Sequence, residues 1–190
     1  MDFAGPDSLA SITEFISLFP RLEIEIGSGN GHFLVNYALK VEKTGFIGVE
    51  IKKKRCLKIM KKVSSNNLSS VRIYHGDAEE FLRCLPAGVV DAVHIYFPDP
   101  WPKTKHRKRR FLKMPMLDTM HHCLKPSGMV YFASDVFDYF MQSKILCILH
   151  KGFLLQTGRL PAEVFSSVYS KKTRQAGRNI NSLVASKSGF

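Results

Sequence analysis

Four acids and a glycine-rich turn are the residues of this chain best placed to do chemistry. The run Ile24-Glu25-Ile26-Gly27-Ser28-Gly29-Asn30-Gly31 ends an apolar segment on an acid and passes into G-x-G-x-G. Glycines let the backbone turn sharply and approach a ligand with no Cβ in the way. Gly48-Val49-Glu50 sets a second acid at the end of another apolar run, where a carboxylate can accept hydrogen bonds from both hydroxyls of a ribose. Gly76-Asp77-Ala78 offers a third, either as acceptor for the exocyclic amine of adenine or as N-cap of a short helix beginning at Ala78. A dinucleotide fingerprint would need its third glycine at position 32, which is His32, so nicotinamide chemistry is disfavoured. The turn and its acids describe an adenosyl pocket.

The fourth acid lies in the most distinctive stretch, Phe97-Pro98-Asp99-Pro100-Trp101-Pro102-Lys103-Thr104-Lys105-His106-Arg107-Lys108-Arg109-Arg110. Prolines fix φ and bias the residue before each toward extended backbone, so the spacing predicts a stiff loop presenting Asp99 and Trp101. A rigidly held carboxylate is what a reacting centre needs and a solvated turn does not. Lys103, Lys105, Arg107, Lys108, Arg109 and Arg110 follow, and phosphates are the natural counterpart of such a run, arginine offering them a planar fork. A solvated or localisation-signal-like charged face is the blander account, disfavoured by the adjoining acid. Trp101, the only tryptophan, either stacks on a base or packs the loop against its domain.

Strands and helices must hold these motifs. The periodicity predicts a helix from about Ser8 to Phe19, with Leu9, Ile12, Phe15, Ile16 and Phe19 on one face, in an N-terminal lead of residues 1–20. Strands are expected at Leu22–Ile26, Phe46–Glu50, Val71–His75, Val90–Tyr96 and Met129–Ala133. Helices are expected from His32 to Lys40, Lys52 to Val63, Ala78 to Cys84, Arg107 to Cys123 and Phe137 to His150. In the last of these Phe137, Phe140, Met141, Lys144, Ile145 and Ile148 alternate faces as in a buried helix. The segment from Phe153 onward should add one or two strands, antiparallel at the sheet edge. The fold class is α/β: a Rossmann-like, doubly wound, mostly parallel sheet forming a single domain over 1–190, with ligands bound beyond the carboxyl ends of its strands.

Composition narrows the partners. Lys plus Arg is 28 against 16 Asp plus Glu, a net charge of +12, concentrated at Lys52–Arg55, Lys103–Arg110 and Lys171–Arg178. Such a surface attracts polyanions and releases their counterions on contact. Cys56, Cys84, Cys123 and Cys147 form no C-x-x-C pair, which fits buried free thiols in a reducing compartment. His121-His122-Cys123 would spread over different helix faces, so no metal is expected. No apolar run suits a membrane span, and the acidic start MDFAGPDSLASITEF is unlike a signal peptide, so a cytoplasmic location is expected.

From Leu22 to about Gly177 the sequence resembles the bacterial tRNA (guanine-N7)-methyltransferases, class I S-adenosylmethionine-dependent enzymes. The glycine loop behind an acid resembles their motif I, and a P-D-P-W loop followed by a Lys/His/Arg-rich tract is their hallmark. The resemblance implies transfer of a methyl group from S-adenosylmethionine to N7 of a guanine in the variable loop of tRNA. It implies cofactor binding at Glu25, Gly27, Gly29, Gly31, Glu50, Asp77 and Asp99, with Asp99 also catalytic. It implies substrate contacts at Lys103, Asp135, Ser167 and Ser170, to which the charge pattern adds Lys105, Arg107, Arg109 and Arg110. A Thr-x-x-Glu stretch of the family aligns here as Ser167-Val168-Tyr169-Ser170, with Gly177 in step, so a serine replaces a carboxylate. The lead of about 20 residues is short for the family. The resemblance implies a monomer or homodimer acting on tRNA, the family's eukaryotic members using a partner subunit. The rivals are a catalytically inactive RNA-binding protein on the same fold and a class I methyltransferase with a non-RNA substrate.

Overall fold

A computed structural model describes residues 9–189. In chain order the elements are α1 (Leu9–Ile16), β1 (Arg21–Ile26), α2 (His32–Ala38), β2 (Thr44–Glu50), α3 (Lys53–Ser65), β3 (Val71–His75), α4 (Ala78–Arg83) and β4 (Val90–Tyr96). A 3₁₀ segment (Thr104–Arg109) then leads to α5 (Met114–Cys123), β5 (Leu124–Ser134), α6 (Phe137–Leu149), β6 (Phe153–Gln156), α7 (Glu163–Ser166), α8 (Val168–Gln175) and β7 (Asn181–Lys187). Ser8, the expected start of the first helix, and the side chain of Leu9 lie outside the described residues.

The strands form one seven-stranded sheet in the order β3-β2-β1-β4-β5-β7-β6. β1 to β5 pair in parallel, while β7 runs antiparallel to both β5 and β6. β2 is buried along its whole length and β1 at all but its first residue, as expected where helices cover both faces of a parallel sheet. The chain winds outward from β1 through β2 to β3, then returns to lay β4 on the other side of β1. Clefts open at such a reversal, beyond the carboxyl ends of the strands. Glu25, Glu50 and the loop after Tyr96 are all delivered there. Among the described residues no helix is long and apolar enough to cross a membrane.

Several details depart from the sequence expectations. The helix expected from Arg107 does not form as one piece: α5 starts at Met114, because Pro115 lacks an N–H and fits only a first turn. Lys103 to Arg109 instead form the tight 3₁₀ segment and its lead. β5 begins five residues early, at Leu124, and carries a register irregularity opposite Val90 and Ala92. The stretch after β6 holds two helices, α7 and α8, as well as a strand. α6 buries Tyr139, Ser143 and Cys147 rather than the expected set, and Phe137, Ile145 and Ile148 are exposed. Apolar residues lie nearly all round that helix, so periodicity does not select a face; the sheet edge does. Cys84 is exposed, whereas Cys56, Cys123 and Cys147 are buried and all four are free.

The sheet also holds a polar chain that the apolar reading of the strands did not anticipate. Buried Glu23 lies 2.7 Å, through Oε2, from His94 Nε2, and His94 Nδ1 lies 2.7 Å from Tyr96 Oη. Every member has a partner, as a buried polar group requires.

Candidate active site

The glycine turn is shaped by what packs against it. Gly31 has φ +70°, and a Cβ there would meet the Ile59 side chain of α3 at 2.8 Å. No other residue fits both the left-handed backbone and the space. α3 also supports the loop through Lys62, whose Nζ donates to the Asn30 carbonyl at 2.7 Å. From β2, Glu50 accepts from the Gly29 N–H through Oε2 and from the Lys52 N–H through Oε1, both at 2.9 Å. The second acid therefore orders the glycine turn as well as facing the cleft.

Two adjoining clefts share Gly27, Arg55, Tyr96, Phe97 and Asp99 and so make one trough. The first holds Glu25, the Gly27–Asn30 turn and His32 on one side, with Ser167, Tyr169 and Lys172 opposite. The α7–α8 wall is anchored by Lys40 of the α2 turn, which pairs with Glu163 at 2.7 Å. The second cleft holds Glu50, Asp77, Trp101 and Arg109. Asp77 caps α4, its Oδ1 accepting from the N–H groups of Glu79 and Glu80 at 2.8 and 3.1 Å.

Glu25 is the electrostatic centre of the first cleft. Its side chain is buried and its Oε2 has no hydrogen-bond partner. Burial, aided by the nearby Glu50 charge, pushes its pKa up to about 8. The folded-state value lies above the unfolded one, so folding takes up a proton at neutral pH. The contribution of Glu25 to stability therefore declines as pH rises from 4.5 to about 8. A buried acid with an empty oxygen is suited to a cationic ligand group.

Asp99 stands where the clefts meet, is exposed, and has no hydrogen-bond or ion-pair partner among the described residues. Its loop is not simply extended. Phe97 and Trp101, which precede Pro98 and Pro102, have φ of +51° and +42°, in the region where bulky side chains are strained. Contacts on either side hold them there. The Phe97 N–H donates to the Ala133 carbonyl at 2.8 Å, and the Arg109 guanidinium lies 5.0 Å over the Trp101 ring. His106 meets the same indole edge-on at 5.9 Å, so Trp101 packs within its own loop.

Arg110 corrects the expectation of a phosphate-binding side chain. It is 2% exposed, and its Nε donates to the Pro100 carbonyl at 2.9 Å. Its Nη1 donates to Gln142 and its Nη2 to Asp138, over the ring of Tyr139. This guanidinium ties the residue next to Asp99 to α6. Lys103 and Lys105 are exposed, Arg107 pairs with Asp138 at 3.1 Å, and Arg109 lines the second cleft.

Ser170 is a second correction: it is fully buried, and its hydroxyl donates to the Ser167 carbonyl at 3.0 Å, so it cannot touch a substrate. Ser167 caps α8 and lines the first cleft. Asp135 is not open either, because Arg178 and Tyr169 both donate to its carboxylate, which is 4% exposed. The structure thus gathers Glu25, Gly27, Gly29, Glu50, Asp77, Asp99, Arg109 and Ser167 at the trough, whereas Gly31, Lys103, Lys105, Arg107, Arg110, Asp135 and Ser170 do not line it. Tyr96, Phe97, His32 and Tyr169 also line it, but aromatic residues at the end of β4 and on helices read in a sequence as ordinary packing.

A sheet of this order, with its trough at the reversal beside a glycine turn, is the class I methyltransferase fold. The 16S rRNA methyltransferase KamB shares it at a TM-score of 0.73 and 16% identity, over 95% of this chain and 94% of that one. The 30S ribosomal A1408 methyltransferase from an uncultured bacterium does so at 0.70 and 18%, over 95% and 94%. The chain belongs to the family described as "Putative methyltransferase" (Methyltransf_4), whose model matches residues 21–181. It is 40% identical over 173 residues to the tRNA (guanine-N(7)-)-methyltransferase of Rhizobium johnstonii, covering 86% of this chain and 74% of that protein. The Rhizobium meliloti protein of the same name is 36% identical over 176 residues, covering 87% and 76%.

Proposed function

We propose that this chain transfers a methyl group from S-adenosylmethionine to N7 of a guanine in tRNA, in the variable loop, and does so in the cytoplasm. The observation that carries the reading is the unpartnered Asp99 carboxylate at the junction of two clefts, the first of which is also lined by Glu25 with its partnerless oxygen. The relatives named above, called tRNA (guanine-N(7)-)-methyltransferases, support the choice of substrate.

The residues present fit the cofactor. Glu25 Oε2 suits the ammonium of its methionine end, and the Gly27–Asn30 turn lets the backbone approach closely. Glu50 and Asp77, in the second cleft, suit the ribose and adenine. The bound cofactor supplies an electrophilic sulfonium methyl.

Guanine N7 offers an in-plane lone pair and carries no proton, so the protein needs no general base. Its work is alignment, which can account for several kcal/mol of the barrier. Asp99 accepts from the guanine N1–H and amine, fixing the ring, and its negative charge stabilises the purine as that becomes cationic. The strained loop keeps the carboxylate in place before substrate arrives. Lys103, Lys105, Arg107 and Arg109 meet phosphates of the same RNA.

The reading is tested by incubating the protein with radiolabelled cofactor and bulk tRNA, then digesting and identifying the labelled nucleoside. 7-Methylguanosine is the expected product. Label in another nucleoside, or none in tRNA, removes the assignment.

Glu25 gives a pH signature. An ammonium beside it lowers its pKa, so binding releases the proton that the free protein holds at neutral pH, and cofactor affinity rises with pH up to about 8. Titration calorimetry in buffers of different ionisation enthalpy should register this proton release in the wild type and not in Glu25→Gln. Equal release by both proteins would remove Glu25 from the site.

A further inference from the structure

The cations of this chain are not confined to the tract after the Asp99 loop. Lys58 and Lys62 lie on α3, Lys171 and Lys172 on α8, and neither helix contains an acid. Far apart in sequence, both helices reach the first cleft: Lys62 holds the Asn30 carbonyl in its lining, and Lys172 lines it together with His32, which begins α2. Burial, and then the charges of Lys62 and Lys171, hold the His32 imidazole below its ordinary titration range. Lys58 acts on Lys62 in the same sense, and Lys172 lines the cleft directly. Lys62 is anchored to the Asn30 carbonyl. The side chains of Lys58, Lys171 and Lys172 are exposed and have no ion-pair or hydrogen-bond partner among the described residues.

Like charges gathered without a counterion raise the local potential, and a bound anion relieves it. The groups here are lysines spread over two helices, flexible point charges and not a single fork, which suits a chain of phosphates better than one small anion. They stand at the first-cleft end of the trough, while Arg109 stands at the second-cleft end, where the Lys103–Arg109 tract follows. Asp99 lies between the two groups of cations.

We infer that Lys58, Lys62, Lys171, Lys172 and His32 form a second phosphate-binding bank, gripping the RNA backbone beside the nucleotide delivered to Asp99. This rests on the RNA-methylating reading above and adds to it a surface opposite the Lys103–Arg109 tract. An RNA held on both sides of the trough is presented to the carboxylate in one orientation, whereas one bank alone would let it pivot.

The test uses the full chain and a tRNA transcript, comparing wild type with Lys58→Ala/Lys171→Ala, whose replaced side chains are exposed and do not line the trough. Each lost phosphate contact lowers the slope of log affinity against log salt by about 0.7 to 0.9, so the double variant should fall by roughly 1.5. Its affinity near physiological salt should drop roughly 5- to 10-fold, with cofactor affinity and melting temperature unchanged. Phosphate-ethylation interference beside the methylated guanosine should weaken in the variant, while interference elsewhere persists. An unchanged slope together with an unchanged interference pattern overturns the bank, and leaves the functional reading intact if the wild type still forms 7-methylguanosine. A wild type that transfers no methyl to tRNA overturns both.

Discussion

Replacing Asp99 with alanine lowers turnover on tRNA by about 10² or more and leaves cofactor affinity within a few-fold of wild type. The carboxylate is exposed and has no partner among the described residues, so its removal strands no buried group and costs the fold little. What is lost is the acceptor for the guanine edge and the negative charge opposite a ring that becomes cationic. Asp99→Asn separates the two, since the amide keeps the shape and one acceptor oxygen without the charge. Single-turnover methyl transfer at saturating cofactor, with a separate cofactor titration, measures both quantities. Turnover near wild type in the alanine variant would take Asp99 out of the mechanism.

Replacing Arg110 with methionine has the second large effect, by another route. The change removes a buried guanidinium that serves Pro100, Gln142 and Asp138 together. Truncating one member of a buried ion pair costs roughly 3–5 kcal/mol, and the half-exposed Asp138 moves this case to the low end or below, about 2–3 kcal/mol. In a chain of this size that lowers the melting temperature by roughly 5–10 °C. Turnover falls as well, because the strained Phe97 and Trp101 backbone loses an anchor on the residue following Asp99. Arg110→Lys keeps the charge but not the fork, and should recover part of the stability while leaving turnover low. Wild-type melting and wild-type turnover in the methionine variant would contradict this role.

The contrast between Asp99 and Arg110 marks where the sequence is readable. Strands β3 and β4 end where their apolar runs end, and the acids behind them fall on one edge because a parallel sheet puts all carboxyl ends there. Local pattern suffices for that. Which cation of a basic tract turns inward is another matter, because Arg110 is buried by Asp138, 28 residues away. Arg178, 43 residues further on, likewise closes over Asp135. The left-handed backbone at Phe97 and Trp101 runs against the local preference before proline; the Ala133 carbonyl of β5 holds the first, and Arg109 and His106 of the same loop pack on the second. Glu50 was legible as an acid at a strand end, but its hold on the Gly29 N–H required the fold.

The most direct measurement is a crystal structure of the protein with S-adenosylhomocysteine, the demethylated cofactor. The account predicts the amino group within about 3 Å of Glu25 Oε2, the adenosine in the cleft of Glu50 and Asp77, and the sulfur facing open space beside Asp99. A ligand bound elsewhere, or one that leaves Glu25 Oε2 without a partner and its sulfur turned from Asp99, would contradict it.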